Sequence, residues 1–125
     1  MTLLNYQQLP GLEKIYLEDS YVLGIEESEK HVKFSLELVL TEKHVAYTDP
    51  KPGEQYCYRN AFLHFENVSK ANWIRKEMMS STDAAGEIDY GNIDTMTFTN
   101  GVYHLAGDWG EVEITSSKPK IDFID

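Results

Sequence analysis

From Val32 to Leu40 the chain alternates Val32, Phe34, Leu36, Leu38 and Leu40 with Lys33, Ser35, Glu37 and Val39. This period of two is that of a strand with one face in a core. Wound as an α-helix, the same residues would scatter their apolar groups around the whole circumference instead of along one stripe. The chain is therefore committed to a sheet with one buried face. Just before this run, Tyr21, Leu23 and Ile25 alternate in the same way. A turn around Ser28 and Glu29 predicts a hairpin that pairs Ile25 with Val32, Leu23 with Phe34 and Tyr21 with Leu36, all on one side.

A second unit is marked by Asn100-Gly101, the residue pair that supplies the positive φ angles of a type I′ turn. Around it Phe98 is predicted to oppose Tyr103, and Met96 to oppose Leu105. The chain turns again through Gly107-Asp108-Trp109-Gly110, which sets Leu105 opposite Val112 and Tyr103 opposite Ile114. Three strands then share one apolar face.

Elsewhere the pattern is less regular. Between Tyr56 and Glu66, Ala61, Phe62, Leu63 and Phe65 break strict alternation, which suggests a strand covered on both faces or a bulge. Trp73 and Ile74 point to another short strand. Residues Met78 to Gly86 show no strand period and read as a loop or short helix. Leu3 to Leu9 read as a short helix ended by Pro10, and Ile121 to Ile124, following Pro119, as an edge strand. No sustained 3.6-residue apolar stripe and no internal repeat occur. The expected architecture is a single all-β domain over residues 1–125, mainly antiparallel, with seven to nine strands in a sandwich or strongly curved sheet.

Charge narrows the partners. Against 11 Lys plus Arg stand 21 Asp plus Glu, a formal net charge of −10, which repels phosphate backbones and disfavours nucleic acid as a ligand. No stretch approaches the ~18 apolar residues of a membrane helix. The start of the chain lacks a basic segment leading into an apolar run, so a cytoplasmic location without membrane attachment is expected. With Cys57 as the single cysteine no intrachain disulfide forms, and between Tyr56 and Tyr58 it reads as a small buried hydrophobe.

The turn-defined register has a chemical corollary on the face opposite the apolar one. Thr97, His104 and Glu113 fall in one cross-strand row, with Thr95, Ala106 and Glu111 in the next. An imidazole beside a carboxylate is what an acid-base pair or a partial metal site needs, and it is also what an ordinary solvated sheet face carries. The loop Gly107 to Gly110 sets Asp108 beside Trp109, an aromatic that either caps the core or anchors a partner. The long connection from Thr41 to Gln55 carries His44, Tyr47, Asp49 and two prolines, with His44 to Tyr47 readable as a short strand. Tyr56 and Tyr58 follow it on the same side. His31 is expected opposite Glu26 at a hairpin tip, and His64, between Leu63 and Phe65, in a core or interface.

The four histidines are dispersed, and no zinc, phosphate-loop, dinucleotide or nucleophile-elbow motif is present. No catalytic residue, metal ligand or cofactor is assigned. The binding candidates are His104, Asp108, Trp109, Glu111, Glu113, Tyr47 and Tyr56.

The long alternating strand, the Tyr56 to Glu66 segment leading to Trp73, and the closing Tyr103-His104-Leu105-Ala106-Gly107-Asp108-Trp109-Gly110-Glu111-Val112-Glu113-Ile114 together resemble short uncharacterised bacterial all-β proteins. Some of these look like immunity partners of secreted toxins. The resemblance implies a protein-binding module that neutralises a basic partner. A small-ligand-binding sandwich or barrel, lined by Tyr56, Tyr58 and Tyr103, is the alternative. A hydrolase-type enzyme using His104 with Glu113 or Asp108 ranks third, and an exposed strand edge leaves self-association open.

Overall fold

The computed structural model describes residues 3–77, 81–82 and 88–124. Both alternating units become strands, and so does nearly every other apolar run. In chain order these are β1 (Leu4–Asn5), β2 (Ile15–Ser28), β3 (His31–Leu40), β4 (Cys57–Phe65), β5 (Lys70–Lys76), β6 (Ser81–Thr82), β7 (Ile88–Asp89), β8 (Ile93–Thr99), β9 (Val102–Gly107), β10 (Gly110–Thr115) and β11 (Lys120–Phe123). A five-stranded antiparallel sheet runs β1-β8-β9-β10-β5, a four-stranded one runs β11-β4-β3-β2, and β6 pairs with β7 alone. Among the described residues there is no α-helix. Where a short N-terminal helix was expected, a single 3-10 turn, Tyr6–Gln8, is held by a capping box from Asn5.

The two larger sheets pack face to face without closing into a barrel. Their inner faces interlock through aromatic edges: Phe34 meets Trp109 at 5.1 Å between ring centroids, and Phe65 meets Tyr103 at 5.6 Å. Leu36, Leu38 and Leu63 from one sheet and Met96, Leu105, Val112 and Ile114 from the other are wholly buried between them.

The meander adopts the expected register. Asn100 and Gly101 take φ values of 53° and 78°, and Phe98 pairs with Tyr103, Met96 with Leu105, Leu105 with Val112 and Tyr103 with Ile114.

The β2–β3 hairpin departs from its expected register. Ser28 pairs with His31 across a turn at Glu29-Lys30, so Ile25 faces Phe34, Val22 faces Leu36 and Tyr21 faces Glu37. Leu23 is the extra residue of a bulge between Val22 and Gly24, and a second irregularity separates Tyr16 from Tyr21. Each extra residue reverses which side chains point inward. Val22 is therefore fully buried, whereas Tyr21 and Leu23, expected inside, are 36% and 41% exposed. Ser20 closes the wider gap: its Oγ donates to the Tyr16 carbonyl at 2.6 Å and accepts from the Val39 amide at 2.8 Å. Segment 90–92 satisfies the strand's outer edge, through a pair of 2.8 Å bonds between Val22 and Tyr90-Gly91 and a 2.6 Å bond from Asn92 Nδ2 to the Ser20 carbonyl.

Three smaller expectations resolve as follows. β4 is neither bulged nor covered on both faces: Ala61, Leu63 and Phe65 are buried while Phe62 and His64 are half-buried on the outer face. Phe62 breaks the apparent alternation because the Lys33 ammonium covers its ring, 4.3 Å from the centroid. In the Met78 to Gly86 stretch, Ser81 and Thr82 form β6, and the rest lies outside the described residues. β11 occupies a sheet edge, as Pro119 implies.

Candidate functional site

The outer face of the five-stranded sheet carries the polar rows expected from the turn. Thr97, His104 and Glu113 are cross-strand neighbours, and Asn72 of β5 extends the row. Only one of the two side-chain bonds here joins facing residues. His104 Nε2 lies 2.6 Å from Glu111 Oε2, on the diagonal, while Glu113 accepts from Asn72 Nδ2 at 3.2 Å. Arg75 Nη2 donates to the Gly107 carbonyl at 3.0 Å and so ties the neighbouring strand end down. The His104 and Glu111 side chains keep 33% and 31% of their surface on an open sheet face. An acid-base catalyst needs a substrate held against it and shielded from water. Neither His104 nor Glu111 lines any of the three cavities described below.

At the β9–β10 turn the structure separates Asp108 from Trp109. Asp108 is exposed, but Trp109 is 0% exposed, so it cannot anchor a partner. Its indole packs against Phe34 and, at 6.0 Å between centroids, Trp73, while Nε1 donates to the Asn92 carbonyl at 3.0 Å. The flanking glycines make room for this. A Cβ on Gly107 would sit 2.1 Å from the Asn92 oxygen, and one on Gly110, at φ 145°, would sit 2.4 Å from the Arg75 oxygen. Nearby, burial and the charge of Asp108 raise the Asp94 carboxyl above its ordinary range.

A different surface assembles at one end of the four-stranded sheet. The 41–55 connection is a loop rather than a strand at His44 to Tyr47, folded by 3.0 Å bonds from the His44 amide to the Thr41 carbonyl and from the Tyr47 amide to the His44 carbonyl. It brings Tyr47 beside Tyr56 along an open cavity of about 560 Å³ that Tyr16, Lys14, Glu42 and Cys57 also line. The aromatic surface continues onto the outer sheet face. Tyr56 meets Tyr58 at 6.1 Å, Tyr58 meets Tyr21 at 6.3 Å, and Tyr16 and Tyr58 flank Val39 from both sides. Val39 is consequently buried although it points away from the core.

Carboxylates rim this surface. The Tyr58 phenol is pushed above its usual range by burial first, then by Tyr21, Glu37, Tyr56 and Asp19. Burial also raises Tyr47, with Glu42 and Asp49 adding to it. Five of the chain's eight tyrosines thus share one surface, with Asp19, Glu37, Glu42 and Asp49 near Tyr58 and Tyr47, and Lys14 and Lys43 at the cavity.

The sequence pointed to Tyr47, Tyr56 and Tyr58 here but not to Tyr16 or Tyr21, because the bulges that turn Tyr21 outward leave no trace in the alternation. Tyr103, expected to share a pocket with Tyr56 and Tyr58, is 4% exposed and packs against Phe65 and Phe98. It lines a separate apolar cavity of about 400 Å³ with Leu4, Leu9 and Pro119. Cys57 is buried, as expected. His31 and His64 depart from expectation together. Glu26 pairs with Lys33 rather than His31, and the two imidazoles meet on the outer face of β3 and β4. Comparison with protein-family models, with curated proteins and with solved structures finds no match.

Proposed function

We propose that the chain is a protein-binding module that receives basic side chains on its tyrosine-faced surface, the role an immunity-type protein plays toward a basic toxin. The observation that carries this reading is the grouping of Tyr16, Tyr21, Tyr47, Tyr56 and Tyr58 within one carboxylate-rimmed area. Tyr16 and Tyr21 are 43% and 36% exposed. Exposed tyrosines supply rigid contact area that ends in a hydrogen-bonding group, and their ring faces attract Lys and Arg. Asp19, exposed beside Tyr58, stands to take up the same cations. The net charge of −10 supplies long-range attraction, to which Asp108, Glu111 and Glu113 contribute from the opposite sheet. Trp109 takes no part, since it belongs to the core.

The cavity favours a second reading. Its volume of about 560 Å³ lies within the roughly 300–1,000 Å³ typical of small-molecule sites, and Tyr47 and Tyr56 line it. The two readings separate on Tyr21 and Tyr58, which lie outside the cavity lining.

Affinity capture from the source cells, with wild type and a Tyr21→Ala/Tyr58→Ala double variant, tests the proposal. A basic protein retained by wild type should bind the double variant more weakly by ~2 kcal/mol or more, through faster dissociation. Asp19→Lys, at an exposed carboxylate, should mainly slow association and reduce its salt dependence. A partner indifferent to all three substitutions sinks this site, and recovery of a small molecule alone transfers support to the cavity.

A further inference from the structure

We propose that His31 and His64 form an open two-imidazole chelate for a divalent transition metal of the copper or nickel type. His64 pairs with Lys33 across β3 and β4, which puts His31, two residues earlier on β3, on the diagonal of the same outer face. Their rings stack at 5.2 Å between centroids with planes 29° apart, and His31 Nδ1 lies 3.1 Å from His64 Nε2. Two donors at that separation, each about 2.0–2.1 Å from an ion, subtend roughly 95–100° at the metal. That angle suits two adjacent positions of a square-planar or octahedral ion, and imidazole is a good donor for both metals.

A second observation concerns the far side of His64. Its Nδ1 lies 3.8 Å from the Asp122 carboxylate of β11. In the tautomer with the proton on Nδ1, toward that carboxylate, His64 presents its Nε2 lone pair to His31. Histidine ligands are commonly oriented by a carboxylate behind them, and Asp122 stands on that side just beyond hydrogen-bond distance. For both near nitrogens to bind, the proton between the two rings moves to the far nitrogen of its own ring as the metal takes its place.

Glu26, Glu27, Ser28 and Lys33 complete a pocket of about 240 Å³ around the pair. The two carboxylates are engaged elsewhere: Glu26 lies 3.8 Å from Lys33 Nζ, and Glu27 accepts from Trp73 Nε1 at 3.2 Å and Lys76 Nζ at 3.3 Å. Among the described residues no third ligand converges with the histidines. The remaining coordination positions therefore belong to water or to an incoming donor, and the site binds metal reversibly instead of serving as a structural clamp.

Calorimetric titration of the full chain with Cu²⁺ and with Ni²⁺, and electron paramagnetic resonance of the copper complex, test the proposal. One site with hyperfine structure from two imidazole nitrogens is expected, weakened tenfold or more by His31→Asn or by His64→Asn. Asp122→Asn should weaken it less, and His104→Asn should leave it unchanged. Copper-induced broadening of wild-type amide resonances, centred on His31 and His64, locates the site without relying on any variant. Broadening centred on another histidine, or equal affinity in wild type and both site variants, overturns it.

Discussion

The β8–β9–β10 meander and the β2–β3 hairpin each bury one face of a sheet, but they control it differently. In the meander, pairing against β9 runs unbroken from Thr95 to Thr99 on β8 and from Gly110 to Ile114 on β10, with one irregularity between Ile93 and Thr95. In the hairpin, β2 breaks step twice against β3 within its 14 residues. The difference begins at the turns. Asn100-Gly101 admits a single tight geometry that matches strand twist, so it fixes the register of the pairs that follow it, from Thr99 and Val102 out to Thr95 and Ala106. The Glu29-Lys30 turn carries no such demand, and apolar residues at Tyr21, Val22, Leu23 and Ile25 are compatible with more than one inward set. In β2 the choice is made by bonds that the turn does not dictate: the strand's own Ser20 hydroxyl bridging to Val39, and segment 90–92 bonding along the strand's free side.

The largest expected effect tests the meander's second turn. Trp109→Ala should destabilise the protein by ~3–5 kcal/mol, because it empties the contact between the two sheets and leaves the Asn92 carbonyl without its indole donor. Urea denaturation measures this. A loss below about 1 kcal/mol would put the indole outside the core and return the turn to the role of a displayed loop.

Next, the hairpin register is tested by two leucines that the alternation alone treats alike. Leu36→Ala should cost ~2–5 kcal/mol, whereas Leu23→Ala, at an exposed bulge, should stay within ~0.5 kcal/mol. Equal losses in thermal or urea melts would mean that Leu23 points inward and that the bulge is absent.

The smallest effect sharpens the comparison most. Ser20→Ala should cost ~1–3 kcal/mol, since it leaves the buried Val39 amide without its 2.8 Å acceptor. The Val39 amide should then exchange with deuterium faster, while the Leu105 amide in the meander keeps its protection relative to the variant's global stability. Uniform acceleration across both regions would show that the hydroxyl holds no local irregularity.

The same contrast governs what was legible at the candidate sites. The row Thr97, His104 and Glu113 follows from one turn and the period of two, so its backbone placement was readable from the residues alone. Its actual partners were not. His104 bonds Glu111 on the diagonal because side-chain reach, not strand pairing, selects between two nearby carboxylates. Tyr47 and Tyr56 were recognised as neighbours along the chain, but the surface they begin extends to Tyr16 and Tyr21 only through the irregular course of β2. His31 and His64 are separated by 33 residues, and nothing in their flanking sequence signals that they meet.

The amino-acid pattern by itself determined the all-β class, the buried faces of β3 and the meander, and the turn at Asn100-Gly101. These rest on periodicity and on backbone angles that few residues tolerate, both of which are local properties. Tertiary structure decided the fate of Trp109, the outward turn of Tyr21 and the meeting of the two histidines. Each of these depends on which surfaces the two sheets bring into contact. Burial of an indole or alignment of two imidazoles is an energy shared between segments remote in the chain, so no single segment encodes it.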